Sequence, residues 1–353
     1  MIIRDLKYMF IKTNPFKAFC GSIKNGQELG RFKNLPQQMI KFNLIIVIAL
    51  CFLTFSCTSI IRNKLTKNNF KEIKTNPINT FETFYWSNDT ILGVYSEKVA
   101  LYIPVKLDDL DEKVLFQLDL GSVSSELYQK SLNLTDCKKK DSLGYLWNLN
   151  FNINNNISTI KKIYLNKKLG GNEQIDKKLK LGNIGLDYFL NKILVLDYKN
   201  NKFLVTDSLE DTFFDDFIEV KNASINKFPI LLETKLNGKK SKVMFDTGSS
   251  MIEFMTYPEK FEKLKGESIV KEKCCVKSFG KDYTLSEVIT NNTLEIFNKE
   301  FTNLKISNTS KFLGDKQAVF GMKLLGIDGI TGNKFLLDKI IILNFKENKL
   351  WIK

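Results

Sequence analysis

The chain of 353 residues contains no histidine. That absence excludes Ser-His-Asp and Cys-His catalysis, HExxH zinc sites and histidine-based general acids. Any acid–base chemistry must run on carboxylates, lysines, tyrosines or cysteines. Proline is scarce, with six residues, and there is no collagen-like or mucin-like tract. None of the six cysteines forms a CxxC pair, so a zinc ribbon or thioredoxin-like motif is not expected. The apolar run Leu44–Phe55 is too short to cross a bilayer comfortably as a helix.

Charge is present in excess of one sign. Lysine and arginine number 53 against 39 acidic residues, a formal net charge of +14. The lysines are scattered among asparagines, as in Lys138-Lys139-Lys140 and Lys199-Asn200-Asn201-Lys202. They are not gathered with aromatics on one element, so no nucleic-acid partner is expected. The excess reads as a compositional bias, with which attraction to an anionic membrane surface is compatible.

Leu44–Phe55 has the length of a signal-peptide hydrophobic region, with Met39 and Lys41 ahead of it as start and positive flank. It runs into Leu53-Thr54-Phe55-Ser56-Cys57, which resembles a bacterial lipoprotein signal whose cysteine is lipidated. Phe55 fits that pattern loosely. The expected organisation is a non-native extension over 1–38, a lipoprotein signal peptide over 39–57 and a polar tether over 58–90. A genuine N-terminal anchor helix is the alternative. The lipid on Cys57 would then hold the protein in the cell envelope, on the extracytoplasmic side (periplasmic or outer-membrane). Beyond the leader stand Cys137, Cys274 and Cys275. Either one of the adjacent pair bridges to Cys137, or all three are free thiols.

The rest of the chain reads as strands, short apolar runs bounded by Asn, Asp, Gly and Lys. Examples are Ala100–Val105, Val114–Leu118 and Ile340–Leu343. Asn237-Gly238 signals a two-residue hairpin, and helices are plausible at Pro258–Lys265 and Met322–Leu325. The chain also repeats itself. Asn191–Val205 matches Asp338–Ile352 without a gap at an offset of 147 residues, and Gly182/Gly185 match Gly329/Gly332 at the same offset. Upstream, Phe116-Gln117-Leu118-Asp119-Leu120-Gly121-Ser122 parallels Val243-Met244-Phe245-Asp246-Thr247-Gly248-Ser249 at an offset of 127. The second copy therefore holds about twenty extra residues, expected around 274–310. This predicts a mostly β protein of two pseudo-twofold related, β-barrel-like lobes, 91–212 and 213–353.

A lone Asp-x-Gly-Ser is most often an ordinary Asx-turn. Two in tandem on a pseudo-twofold axis would face Asp119 with Asp246. Two carboxylates at about 3 Å cannot both ionise cheaply, so they share a proton and supply one acid and one base. No histidine, metal or cofactor is needed. Phe245-Asp246-Thr247-Gly248-Ser249-Ser250 resembles the active-site motif of pepsin-like and retropepsin-like aspartic proteases. The resemblance spans about 95–353. It implies a single-chain, two-lobed, monomeric endopeptidase, with Asp119 and Asp246 catalytic and a peptide or protein substrate. Gly121, Ser122, Thr247, Gly248, Ser249 and Ser250 would support the active-site turns. Gly185 and Gly332 would stand behind them, each in a segment with one polar residue where the family prefers an apolar one. Tyr145 would be the flap tyrosine, with Tyr283 its counterpart in the second lobe.

Leu120 departs from the family, which places a Thr or Ser there to bond across to the other lobe. The departure leaves a second reading open: a weak or inactive protein of this fold that binds peptides or envelope partners. A β-sandwich adhesin or carrier, with the two turns far apart, is a third.

Overall fold

Leu231–Leu236 and Lys239–Phe245 pair antiparallel around Asn237 and Gly238. Their φ angles of 51° and 71° are those of the two-residue hairpin that Asn-Gly favours. The computed structural model describes residues 67–74, 79–91, 94–108, 110–135, 145–278, 281–309 and 316–353. The leader, with Cys20, Cys51 and Cys57, lies outside them, as does Cys137. Cys274 and Cys275 fall in the strand Lys271–Ser278.

The protein is mostly β. A nine-stranded sheet forms the N-terminal lobe and a ten-stranded sheet the C-terminal lobe, and a six-stranded sheet joins them. Both lobes are wired alike. Val114–Leu118 runs parallel to Lys178–Ile184, as Lys239–Phe245 does to Gly329–Thr331. Glu126–Tyr128 runs parallel to Asn156–Asn166, as Phe254–Met255 does to Lys305–Thr309. The sequence repeat thus becomes a structural one.

The joining sheet shows where the pseudo-axis passes. Ile193–Asp197 pairs antiparallel with Ile340–Asn344, and Val195 lies opposite Ile342, its own equivalent in the repeat. Both are fully buried, because a strand covered on both faces is apolar throughout. The hairpin Leu294–Ile296/Lys299–Phe301 pairs with Leu231–Leu236 as Tyr145–Ile153 pairs with Val94–Leu107, so it belongs to the repeat and is not an insertion, and the helix Lys316–Leu324 follows it. Helices stand at both expected places, the other being Pro258–Lys265, which starts on proline and ends before Gly266 at φ 55°.

The expected tether over 58–90 needs correction from residue 67 onward. Phe70–Lys74 is an edge strand paired with Asn156–Asn166, and Tyr85–Ile91 pairs with Val94–Leu107. Phe70 holds the first in place. It is buried, edge-on to the rings of Phe151 and Tyr188 at 5.2 and 5.0 Å. Burying one such ring stabilises by about 2–3 kcal/mol, enough to seat a strand whose other residues are exposed. Asn68 donates to the Leu190 carbonyl, and Lys192 pairs with Glu72 at 3.2 Å.

Candidate active site

Asp119 and Asp246 each end the central strand of a lobe and open a tight turn. Asp119 N–H donates to the Ile184 carbonyl at 3.0 Å, and Asp246 N–H to the Thr331 carbonyl at 2.9 Å. Each turn closes by a bond from the serine three residues on, Ser122 to Asp119 and Ser249 to Asp246. The lobes bring the two turns together. A Cβ on Gly121 would stand 2.2 Å from Asp246 Cγ, and one on Gly248 would stand 2.7 Å from Asp119 Oδ1. Only glycine lets each backbone pass this close to the opposite carboxyl. The two carboxyls are close enough for the charge of Asp246 to act on Asp119.

Gly185 and Gly332 lie behind the turns. A Cβ on Gly332 would fall 1.8 Å from the Ser249 carbonyl oxygen, and one on Gly185 would fall 2.7 Å from the Ser124 carbonyl carbon. Thr247 fastens the lobes to each other. Its hydroxyl donates to the Leu118 carbonyl at 2.8 Å and accepts from the Leu120 N–H at 2.9 Å. Leu120 has no hydroxyl with which to return these bonds. Its side chain is instead fully buried in the core.

The two carboxyls are held differently. Asp246 accepts from the Gly248 N–H and from the Ser249 hydroxyl, both at 2.8 Å. At Asp119 the equivalent serine is turned otherwise, its hydroxyl donating to the Ser124 carbonyl at 2.8 Å. The side-chain amide of Asn183 reaches Asp119 Oδ2 at 3.4 Å. Burial, then the charge of Asp246, holds Asp119 protonated well above the usual carboxylate range. Burial raises Asp246 too, but the donors Ser249 and Gly248 oppose it. A carboxylate given hydrogen bonds keeps its charge, and one left to burial keeps its proton. Asp246 is therefore the ionised member and Asp119 the proton holder.

Among solved structures, this chain is similar to one of an aspartic proteinase from Irpex lacteus. The match has 10% sequence identity and a TM-score of 0.43, and covers 72% of this chain and 94% of that one. No protein-family model and no curated protein matches the chain.

Each turn has backing that its motif does not announce. Behind Asp246, Asn333 donates to the Thr247 carbonyl at 2.9 Å and to the Ser250 hydroxyl at 2.7 Å, and accepts from the Tyr198 hydroxyl at 2.8 Å. Behind Asp119, Ser125 donates its N–H and hydroxyl to Asp187, which also accepts from Asn69 at 2.9 Å. Burial raises the Asp187 carboxyl to about 6 in spite of these donors. A signal for Asn333 and Asp187 was present in the repeat, where they stand opposite Leu186 and Lys334.

Tyr145 begins the strand Tyr145–Ile153 with its ring 5.7 Å from that of Tyr164 and Lys162 over it at 3.8 Å. It pairs with Tyr164, which pairs with Glu126, which pairs with Asn183. Residues opposite one another across strands share a face, so Tyr145 stands on the Asn183 face of the sheet. Residues 136–144, just ahead of it, lie outside the described residues. Tyr283 falls opposite Val276 in the hairpin Lys271–Ser278/Lys281–Ile289.

Proposed function

We propose that the protein is an aspartic endopeptidase that hydrolyses peptide bonds by a water held between Asp246 and Asp119. The observation that carries this reading is the meeting of one carboxyl from each lobe, each packed against the turn glycine of the other. Asp246 takes a proton from the water as its oxygen attacks the scissile carbonyl, and Asp119 gives its proton to the carbonyl oxygen. When the C–N bond breaks, Asp246 passes its proton to the leaving nitrogen and Asp119 recovers one from the diol. The cycle returns both groups to their starting state and needs neither metal nor cofactor. Tyr145 is placed in this reading over the Asp119 side of the cleft. The leader motif at Cys57 supports an envelope lipoprotein that meets its substrate outside the cytoplasm.

Leu120 and the averted Ser122 hydroxyl favour a second reading, a peptide-binding protein of low activity. Cleavage of an unstructured protein between about pH 3 and 8, a range spanning the titration of such a pair, separates the two. Cleavage that a statine-type inhibitor blocks and Asp246→Asn removes supports the enzyme. A folded protein that cleaves at no pH in that range supports the binder.

A further inference from the structure

The same position is filled by opposite chemistry in the two lobes. In the N-terminal lobe Asn183 lies between Gln117 and Glu126 in register. In the C-terminal lobe its equivalent, Ile330, lies between Met244 and Met255. Gln117 reaches across to the Gly248 carbonyl at 3.5 Å and Asn183 to Asp119, so this polar row faces the opposite lobe. By the repeat, the apolar trio faces back. The dyad thus sits between one polar wall and one apolar wall.

The polar wall has an unmet demand. Asn183 is 3% exposed, and its Oδ1 is buried without a hydrogen-bond partner among the described residues. Its amide nitrogen is already turned to Asp119, which leaves an acceptor beside the proton-holding carboxyl. A carboxyl lies directly across the neighbouring strand, itself already partnered. Glu126 is 5% exposed and accepts from Asn166 at 3.0 Å. A buried acceptor left alone is costly, and a ligand that brings a donor recovers the loss. An apolar group placed there leaves the loss in place.

We propose that Asn183 determines specificity. It selects peptides whose residue next to the central bond on the Asp119 side carries a hydrogen-bond donor, with an apolar residue on the side of Ile330 and Met244. Glutamine, asparagine and lysine side chains meet the first requirement. The proposal rests on the cleft being a peptide site but not on its being catalytic, so binding is the test. The full-length protein would be titrated with a peptide whose central bond is a reduced amide, flanked by glutamine on one side and leucine on the other. Its partner peptide carries norleucine for glutamine. The glutamine peptide is expected to bind about tenfold more tightly, the net worth of one hydrogen bond to an otherwise unmet acceptor. Asn183→Leu should erase or invert that preference. Equal or tighter binding of the norleucine peptide by the unaltered protein overturns the proposal, as does binding of neither peptide. A preference that survives Asn183→Leu overturns it too. A protein that shows the preference but never cleaves removes the enzymatic reading and leaves this one standing.

Discussion

The Asp246 turn and the Asp119 turn descend from one pattern and have come apart. At Asp246 the full set of donors is in place: Gly248, Ser249 and a hydroxyl at Thr247 that crosses to the other lobe. At Asp119 the hydroxyl after the aspartate is gone, the serine looks elsewhere, and a distant asparagine approaches the carboxyl. The difference teaches that a carboxyl pair needs no symmetry to divide its labour. Two equal sites would compete for one proton. Here the carboxyl with more hydrogen-bond donors takes the charge and the other the hydrogen.

The largest effect that can break this comparison is removal of either carboxyl. Asp246→Asn and Asp119→Asn should each lower kcat by about 10²–10⁴-fold, the contribution of positioned acid–base groups. Their stabilities should rise at neutral pH. Both carboxyls titrate above their usual range in the fold, so the fold loses stability as pH climbs through their unfolded values, near 4. Amides escape that loss. An asparagine variant as active as the parent, or markedly less stable at pH 7, would contradict the division of roles.

The second effect concerns the one-sided clasp. Thr247→Val strips partners from the buried Leu118 carbonyl and Leu120 N–H and should cost about 3 kcal/mol in chemical denaturation. Leu120→Thr tests the opposite lobe. It gives up buried apolar surface, about 1–2 kcal/mol, for a hydroxyl that can return the bonds, so stability should change little. Activity should rise or hold. A large loss would mean that the packing of Leu120 in the core positions Asp119.

Asp187 supplies a third contrast, because the Asp246 side has Lys334 at the equivalent place. Its folded value of about 6 lies above the ordinary aspartate value of 3.8. The folded state therefore holds the extra proton between those values, and stability falls as pH rises from about 4 to about 6, then levels off. At 1.36 kcal/mol per unit the fall is roughly 2–3 kcal/mol. Asp187→Asn should remove that part of the slope in denaturation series across this range, leaving the part due to the dyad. An unchanged slope would show that Asp187 stays ionised on its Ser125 and Asn69 donors.

Much of this site was legible because it repeats. Two Asp-x-Gly-Ser turns at a fixed offset pointed to Asp119 facing Asp246, and the place of Gly185 and Gly332 behind them followed from the resemblance to aspartic proteases. The strand at Phe70 was not legible, since an edge strand with one buried residue has no periodicity to read. Nor was the rotation of the Ser122 hydroxyl, which depends on where the Ser124 carbonyl lies. The mismatches within the repeat were visible and undervalued. Leu120 against Thr247, Asn183 against Ile330 and Asn333 against Leu186 all mark places where the lobes do different work.

Tyr198 is the smallest of these contrasts and isolates one turn from the other. Its equivalent is Phe345, so Tyr198→Phe gives the N-terminal copy the residue of the C-terminal one. The ring is buried against Phe84 and Trp86, and that packing survives the change. What is lost is the donor to Asn333 Oδ1, a net effect of about 1 kcal/mol. Asn333 is the link between Tyr198 and the Thr247 carbonyl, so the loosening should fall on the Asp246 turn alone. Hydrogen exchange would quicken at the amides of Gly248 and Ser249 and stay as it was at Ser122. Equal quickening on both sides would mean that the turns share one support, and that the asymmetry of the dyad stops at its hydrogen bonds.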